Sequence, residues 1–304
     1  MTAYDDPNIG PGRSRLAPAL DRLADLPWWL LVTIGLGVYV VIGIMTNETT
    51  NQAFWFIVGQ DPEALKMWEI AREGLVMTLY VTFLAYLLAL LLGMIIGLGR
   101  VSENRLYYNL ATFYVEIVRG IPMLVLLMAI AFVGVPAIVG GINNLGEWLV
   151  GLGLEGIGGT LAGLTTRNIS NTGRVIIGLG VAYGAFSAEI FRAGIQSVER
   201  GQMEAARALG MSYFQAMRLI ILPQAIRRVL PALGNDFVAM LKDSSLVSVL
   251  GVRDITQLNK LYTASTFNFV QGYTVLTFLY LTMTILLTRL VRWMEARMRR
   301  SQAT

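Results

Sequence analysis

Three ionisable residues, Asp236, Lys242 and Asp243, stand in the otherwise apolar stretch between Val229 and Val252. On insertion scales each such side chain costs about 2.5–3.5 kcal/mol at the centre of a membrane helix, or roughly 8–10 kcal/mol if all three faced lipid. They must therefore face protein, water or one another. Asp236 and Asp243 are seven apart and fall on nearly one helix face, and Asn235 and Lys242 repeat that spacing on the neighbouring stripe. One face of the segment is polar over two turns, as the wall of a water-filled path would be. A carboxylate beside an ammonium complements a solute that carries both charges. The same residues would also serve as a structural ion pair between helices or protomers. Ser244 and Ser245, next in sequence, are candidates for the same wall or for bonds to carbonyls of their own helix.

Two further pairs, Glu116 with Arg119 and Glu189 with Arg192, are three apart. Each can close on its own helix face, as a gate or as a scaffold. Other chemistry is excluded by what is missing. With no His and no Cys there is no thiolate nucleophile, disulfide, Cys/His zinc site, haem histidine or His-based triad. No metal site is expected. No G-x-x-x-x-G-K-[ST] occurs, nor any Gly-Lys pair, so the chain has no P-loop for ATP. Gly151, Gly153 and Gly156 spell G-x-G-x-x-G, but without a preceding strand and following helix they read as a flexible outer loop.

The elements that must position these residues are membrane helices. Of 304 residues, 55% are hydrophobic and 14% charged, against about 25% charged in soluble domains. Mean hydropathy is +0.58. A crossing helix needs about 20 apolar residues. Leu26–Asn47, Gly74–Gly99, Gly120–Gly146 (its helix starting earlier, near Tyr107) and Leu261–Thr288 meet that length. Val175–Ala188, continued to Val198, and Val229–Val252 complete an expectation of six spans. Pro122 is expected to kink its helix. With both termini in the cytoplasm, 15 Lys and Arg fall in the inner segments and 5 in the outer ones, the bias that the positive-inside rule requires. The first span lacks a basic start and a cleavage site, so it reads as a retained anchor.

The inner segment Glu199–Pro223 reads as two short helices. Gln202–Leu209 is rich in helix formers, Gly210 ends it, and Ser212 with Gln215 forms a capping box for a second helix that Pro223 closes. The pair would either lie on headgroups as an amphipathic segment or dock into another protein. Glu204-Ala205-Ala206, then Gly210, Ile220 and Leu222-Pro223 at fixed spacing, resemble the EAA loop of ABC importer permeases. Ala185–Arg192, Pro223–Ala225, Lys242–Leu246 and Glu116 with Arg119–Pro122 resemble the branch of that family that carries polar amino acids of the His, Glu, Gln and Arg type. The similarity covers about residues 70–292.

The resemblance implies a type I importer permease fold, all-α and integral to the membrane, with five core helices plus one additional N-terminal helix. It divides the chain into a cytoplasmic segment 1–27, an added helix 28–47, a periplasmic loop 48–71, a transmembrane domain 72–292 with the coupling loop 199–223, and a cytoplasmic tail 293–304. Glu204, Ala205, Ala206, Leu209, Gly210 and Met211 would couple to an ATPase. The chain itself would not be an enzyme. ATP and Mg would bind a partner ATPase dimer. A second permease subunit, identical or paralogous, a periplasmic solute-binding protein, a polar amino acid and lipid would be the other partners, with no nucleic acid, in the inner membrane of a bacterium. Two alternatives stay open: the same machinery for another small solute, or an ion-coupled carrier using Asp236, Lys242 and Asp243 as a relay.

Overall fold

The computed structural model describes residues 28–59 and 73–300. The proposed N-terminal segment 1–27, the second half of the 48–71 loop and the last four residues of the tail lie outside them. Among the described residues the chain is helical, with no strand beyond one isolated bridge between Gly74 and Asp254.

Helix α1 (Trp28–Thr46) ends where Asn47 turns extended and caps α2 (Glu48–Val58), accepting from the amides of Thr49 and Thr50. The two helices meet at 106°. The start of the expected outer loop is thus a helix, and its Ala53 and Ile57 are fully buried against Ile255, Tyr262, Val275 and Leu279.

The core is built on α3 (Gly74–Arg100) and α7 (Asn171–Gln196). Lipid provides no hydrophobic drive between helices, so close packing must hold them. Ala85, Ala89, Gly93 and Gly97 give α3 a small-residue face, buried throughout. A Cβ on Gly93 would lie 2.6 Å from Ser187 Cβ, so the two backbones touch there.

Between them, α4 (Arg105–Gly120) and α5 (Met123–Gly151) are separate helices. Pro122 does not kink a continuous helix, as its position in an apolar run suggests. Ile121 is extended, φ −102° and ψ 134°, the conformation forced on a residue before proline. In α5 a π turn at Ile130–Gly134 precedes Pro136. The expected flexible outer loop is an ordered hairpin: α5 runs on to Gly151, Gly153 turns with φ +83°, and α6 (Glu155–Ala162) packs back with Gly158 against Gly146.

Helices α8 (Arg200–Ala208) and α9 (Tyr213–Ala216) form the two-helix knob expected from the sequence. Pro223 does not close the second of these. The chain continues helically through a π turn, Met217–Ile221, into α10 (Leu222–Asp243). The wider turn accommodates the bond to residue i−4 that a proline cannot make. A 3₁₀ segment, Ser244–Leu250, follows, then α11 (Ile255–Thr266) and α12 (Phe269–Arg300). The expected last span therefore begins at Phe269, because Phe267 at φ +59° breaks the run.

Among the described residues α3, α5, α7 and Phe269–Arg297 are long and apolar enough to cross a bilayer, and α1 and α2 are so only when taken together as one bent span, which would make five. The segment expected as the fifth of six spans, α10, is too polar to qualify alone: it carries Arg227, Arg228, Asp236, Lys242 and Asp243.

Candidate functional site

Helices α7 and α10 run antiparallel and divide the polar face of α10 in two. Asp243 Oδ2 accepts from the Tyr183 hydroxyl at 2.7 Å, and Asp236 Oδ2 accepts from Ser187 Oγ at 3.1 Å. Tyr86 on α3 adds its hydroxyl to the Leu233 carbonyl. These carboxylates are half-buried and turned into the protein. The neighbouring stripe is turned outward: Asn235 and Lys242 are exposed, and Lys242 makes no ion pair or hydrogen bond among the described residues. Lys242 and Asp243 are therefore not paired with each other, because adjacent helix positions point about 100° apart. Ser244, fully buried, donates to the Leu241 carbonyl at 2.7 Å. Ser245 is half-buried beside it.

Charges on α3, α4 and α7 meet in one cluster. Arg192 closes on Glu189 at 2.8 Å along its own helix and also reaches Gln196. Glu116 and Arg119 do not close on theirs. Glu116 faces Arg100 at 3.8 Å, while Arg119 lies 4.0 Å from Glu189 and stacks over the Phe186 ring. Arg100 Nη2 meets Glu189 Oε1 at 2.9 Å. Glu189 thus serves three guanidiniums, and Arg100, only 11% exposed, keeps Nε and Nη1 without hydrogen-bond partners.

The sequence singled out neither Arg100 nor Tyr183 nor Ser187. Arg100 was visible only as the residue that ends a span. Tyr183 and Ser187 stand four apart on one face of α7, a spacing that gains meaning only beside Asp236 and Asp243.

The knob is built by local rules. Gly210 takes φ +84°, and the Met211 amide reaches back to the Ala206 carbonyl at 3.2 Å, a helix end that glycine makes without strain. Ser212 and Gln215 form the reciprocal capping box. Glu204, Ala205, Leu209 and Gly210 are exposed, with Leu209 at 82% and Phe214 at 70%, and Met211 is half-buried. Ala206 is 1% exposed and so, unlike Ala205, presents nothing to a partner. It shares the inward face with Met203, three residues before it. Beneath, Val198, Met217, Ile221 and Ala225 pack on Ile195 at the end of α7, and the Arg228 guanidinium on α10 donates to the Ser197 carbonyl. The knob, α7 and α10 are one packed unit. An exposed Leu209 and Phe214 on a rigid knob suit docking into a protein groove.

No group of three or more Asp or Glu among the described residues is arranged to hold a metal ion.

Residues 89–300 match the family described as binding-protein-dependent transport system inner membrane component. The probable glutamine ABC transporter permease protein GlnM of Bacillus subtilis is 35% identical over 230 residues, covering 75% of this chain and 93% of that protein. The probable amino-acid permease protein YxeN, also of Bacillus subtilis, is 33% identical, covering 70% and 84%. Among solved structures, a chain of an amino acid ABC transporter with histidines superposes with a TM-score of 0.58 at 37% identity, covering 74% of this chain and 92% of that one. A chain of the inward-facing MetNI methionine ABC transporter, 22% identical over 77% of this chain and 96% of that one, shares the fold with a TM-score of 0.53. Helices α1 and α2 precede the matched region. The match, the apolar helices and the knob agree: the chain belongs to the binding-protein-dependent transport system inner membrane component family, the multi-pass permease subunits of ABC transporters.

Proposed function

We propose that the chain is the permease subunit of an importer that carries polar amino acids across a bacterial inner membrane. It crosses the membrane six times with both termini in the cytoplasm, α10 being the crossing that only protein contacts make tolerable. The observation that carries the reading is the knob, rigidly continuous with the two helices that bear the polar face. ATP and Mg act on a separate ATPase dimer docked at Glu204, Ala205, Leu209, Gly210 and Met211. Closure of that dimer moves each knob, and with it α7 and α10, in an alternating-access cycle. A second permease, identical or paralogous, forms the other half of the path, and a periplasmic solute-binding protein delivers the substrate. Lys242, without a partner among the described residues, faces the path with Asn235 and takes the substrate carboxylate. Asp236, Asp243, Ser244 and Ser245 shape the wall behind it. Glu116, Arg119, Glu189 and Arg192 brace the inner end.

Uptake of labelled Glu, Gln, Arg and His into proteoliposomes holding the permeases, ATPase and binding protein tests the reading. Saturable, ATP-dependent uptake of at least one of them is expected. Uptake that runs without ATP would instead support an ion-coupled carrier.

A further inference from the structure

The bend between α1 and α2 leaves a cleft of about 230 Å³ against the first turns of α12. Among the described residues its wall mixes polar and apolar side chains and carries no charged one. Thr46 and Asn47 are satisfied locally, by the Ile42 carbonyl and by the α2 amides. The hydroxyls of Tyr39, Thr50 and Thr274 and the amide of Gln271 make no hydrogen bond among the described residues, although Thr50, Gln271 and Thr274 are half-buried. Polar groups without partners are costly away from water.

Two observations set the depth of this wall. Gln271 and Thr274 lie in the first two turns of α12, within about 8 Å of its start. Phe267, Phe269 and Tyr273 at the same end are exposed, as in the aromatic belt that marks a membrane interface. The opposite end of α12 carries Arg289, Arg292 and Arg297. On its open side the cleft is flanked by exposed Ile42 and Val270. The polar wall therefore stands at the level of the glycerol esters, with apolar surface running on toward the hydrocarbon.

We propose that this cleft binds a phospholipid by its glycerol-ester region. The ester carbonyls and phosphate oxygens accept from Thr50, Gln271 and Thr274, the acyl chains lie along α1 and α12, and the headgroup stays outside. A wall without cations favours a zwitterionic phosphate over a net anion. The cleft holds one glycerol backbone, not a whole lipid. The bound lipid thus seats the added N-terminal element on α12. This inference requires only that the chain is membrane-embedded; it is independent of the solute carried.

The complete transporter in nanodiscs of phosphatidylethanolamine and phosphatidylglycerol, doped with either lipid bearing a diazirine near its glycerol, provides the test. Labelling of peptides spanning Tyr39–Thr50 and Val270–Thr274 is expected to exceed that of Val32–Val38 at least fivefold. Gln271→Leu with Thr274→Leu should lower it at least fivefold and leave amino acid uptake unchanged. Thr50→Val, a milder change, should lower it at least twofold. Even labelling along α1, which marks annular lipid only, would overturn the proposal. So would stronger labelling by phosphatidylglycerol, a crosslink from the cleft to another protein chain, or insensitivity to Thr50→Val.

Discussion

Arg100 at the end of α3 meets Glu189 on α7 at 2.9 Å, and Glu189 is also within 4.0 Å of Arg119 and bonded to Arg192. One carboxylate therefore bridges three guanidiniums drawn from three helices, with Glu116 as the second carboxylate of the cluster, 3.8 Å from Arg100. Removing one member of a buried pair leaves an uncompensated charge and costs about 3–5 kcal/mol. Glu189→Gln takes the shared carboxylate from three guanidiniums and leaves Arg100 only Glu116 at 3.8 Å, whereas Arg100→Met leaves Glu189 two partners. Glu189→Gln should thus lower the unfolding temperature of the assembled transporter in detergent more than Arg100→Met does. The double variant should recover part of the loss. Equal effects of the two single variants would contradict this ranking.

Lys242 is exposed and without a hydrogen bond or ion pair among the described residues, so Lys242→Ala removes no contact seen to hold them together. If it takes the substrate carboxylate, a charge-assisted bond of about 1.5–3 kcal/mol is lost. The KM for uptake should rise about tenfold or more, with the yield of assembled transporter unchanged. A purely structural role predicts the reverse, a lower yield with unchanged KM per assembled complex.

Asp254 caps α11 at its junction with the 3₁₀ segment, accepting from the Gln257 amide at 2.9 Å, and it is fully buried. Burial pushes its carboxyl up to about 6, against the lowering pull of its hydrogen bonds and of Lys260. A raised folded pKa means that the folded state binds the proton more tightly than the unfolded one. The resulting stabilisation is complete below about 4 and is lost as pH rises through about 6. Protease resistance of the α11 junction should therefore fall between these values as pH rises. Asp254→Asn keeps the cap and should flatten the profile, and an unchanged profile in that variant would assign the titration to another group.

How much of this was legible in sequence depends on range. The all-helical membrane fold, Gly210 as a helix end and the Ser212–Gln215 box rest on composition and on contacts a few residues apart. The Ile121–Pro122 break was visible as a proline, but whether a proline kinks or parts a helix is decided by what packs around it. Pro223 shows the other outcome, a helix kept continuous by a π turn. The hairpin of α5 and α6 depends on Gly146 meeting Gly158, and the charge cluster of α3, α4 and α7 on Arg100 meeting Glu189. Both are tertiary contacts that no periodicity encodes. The polar stripes of α10 were visible as spacing, but which stripe turns inward was set by Tyr183 and Ser187 on another helix.

The central claim is that the exposed knob couples this chain to an ATPase. Leu209, 82% exposed, can be changed without disturbing the core, so Leu209→Asp isolates docking from folding. The direct measurement is ATP-driven amino acid uptake by the reconstituted transporter, with co-purification of the ATPase followed in parallel. Leu209→Asp should reduce uptake to about a tenth or less and release the ATPase, with the thermal stability of the permease unchanged. Wild-type uptake and a retained ATPase in that variant would contradict the account.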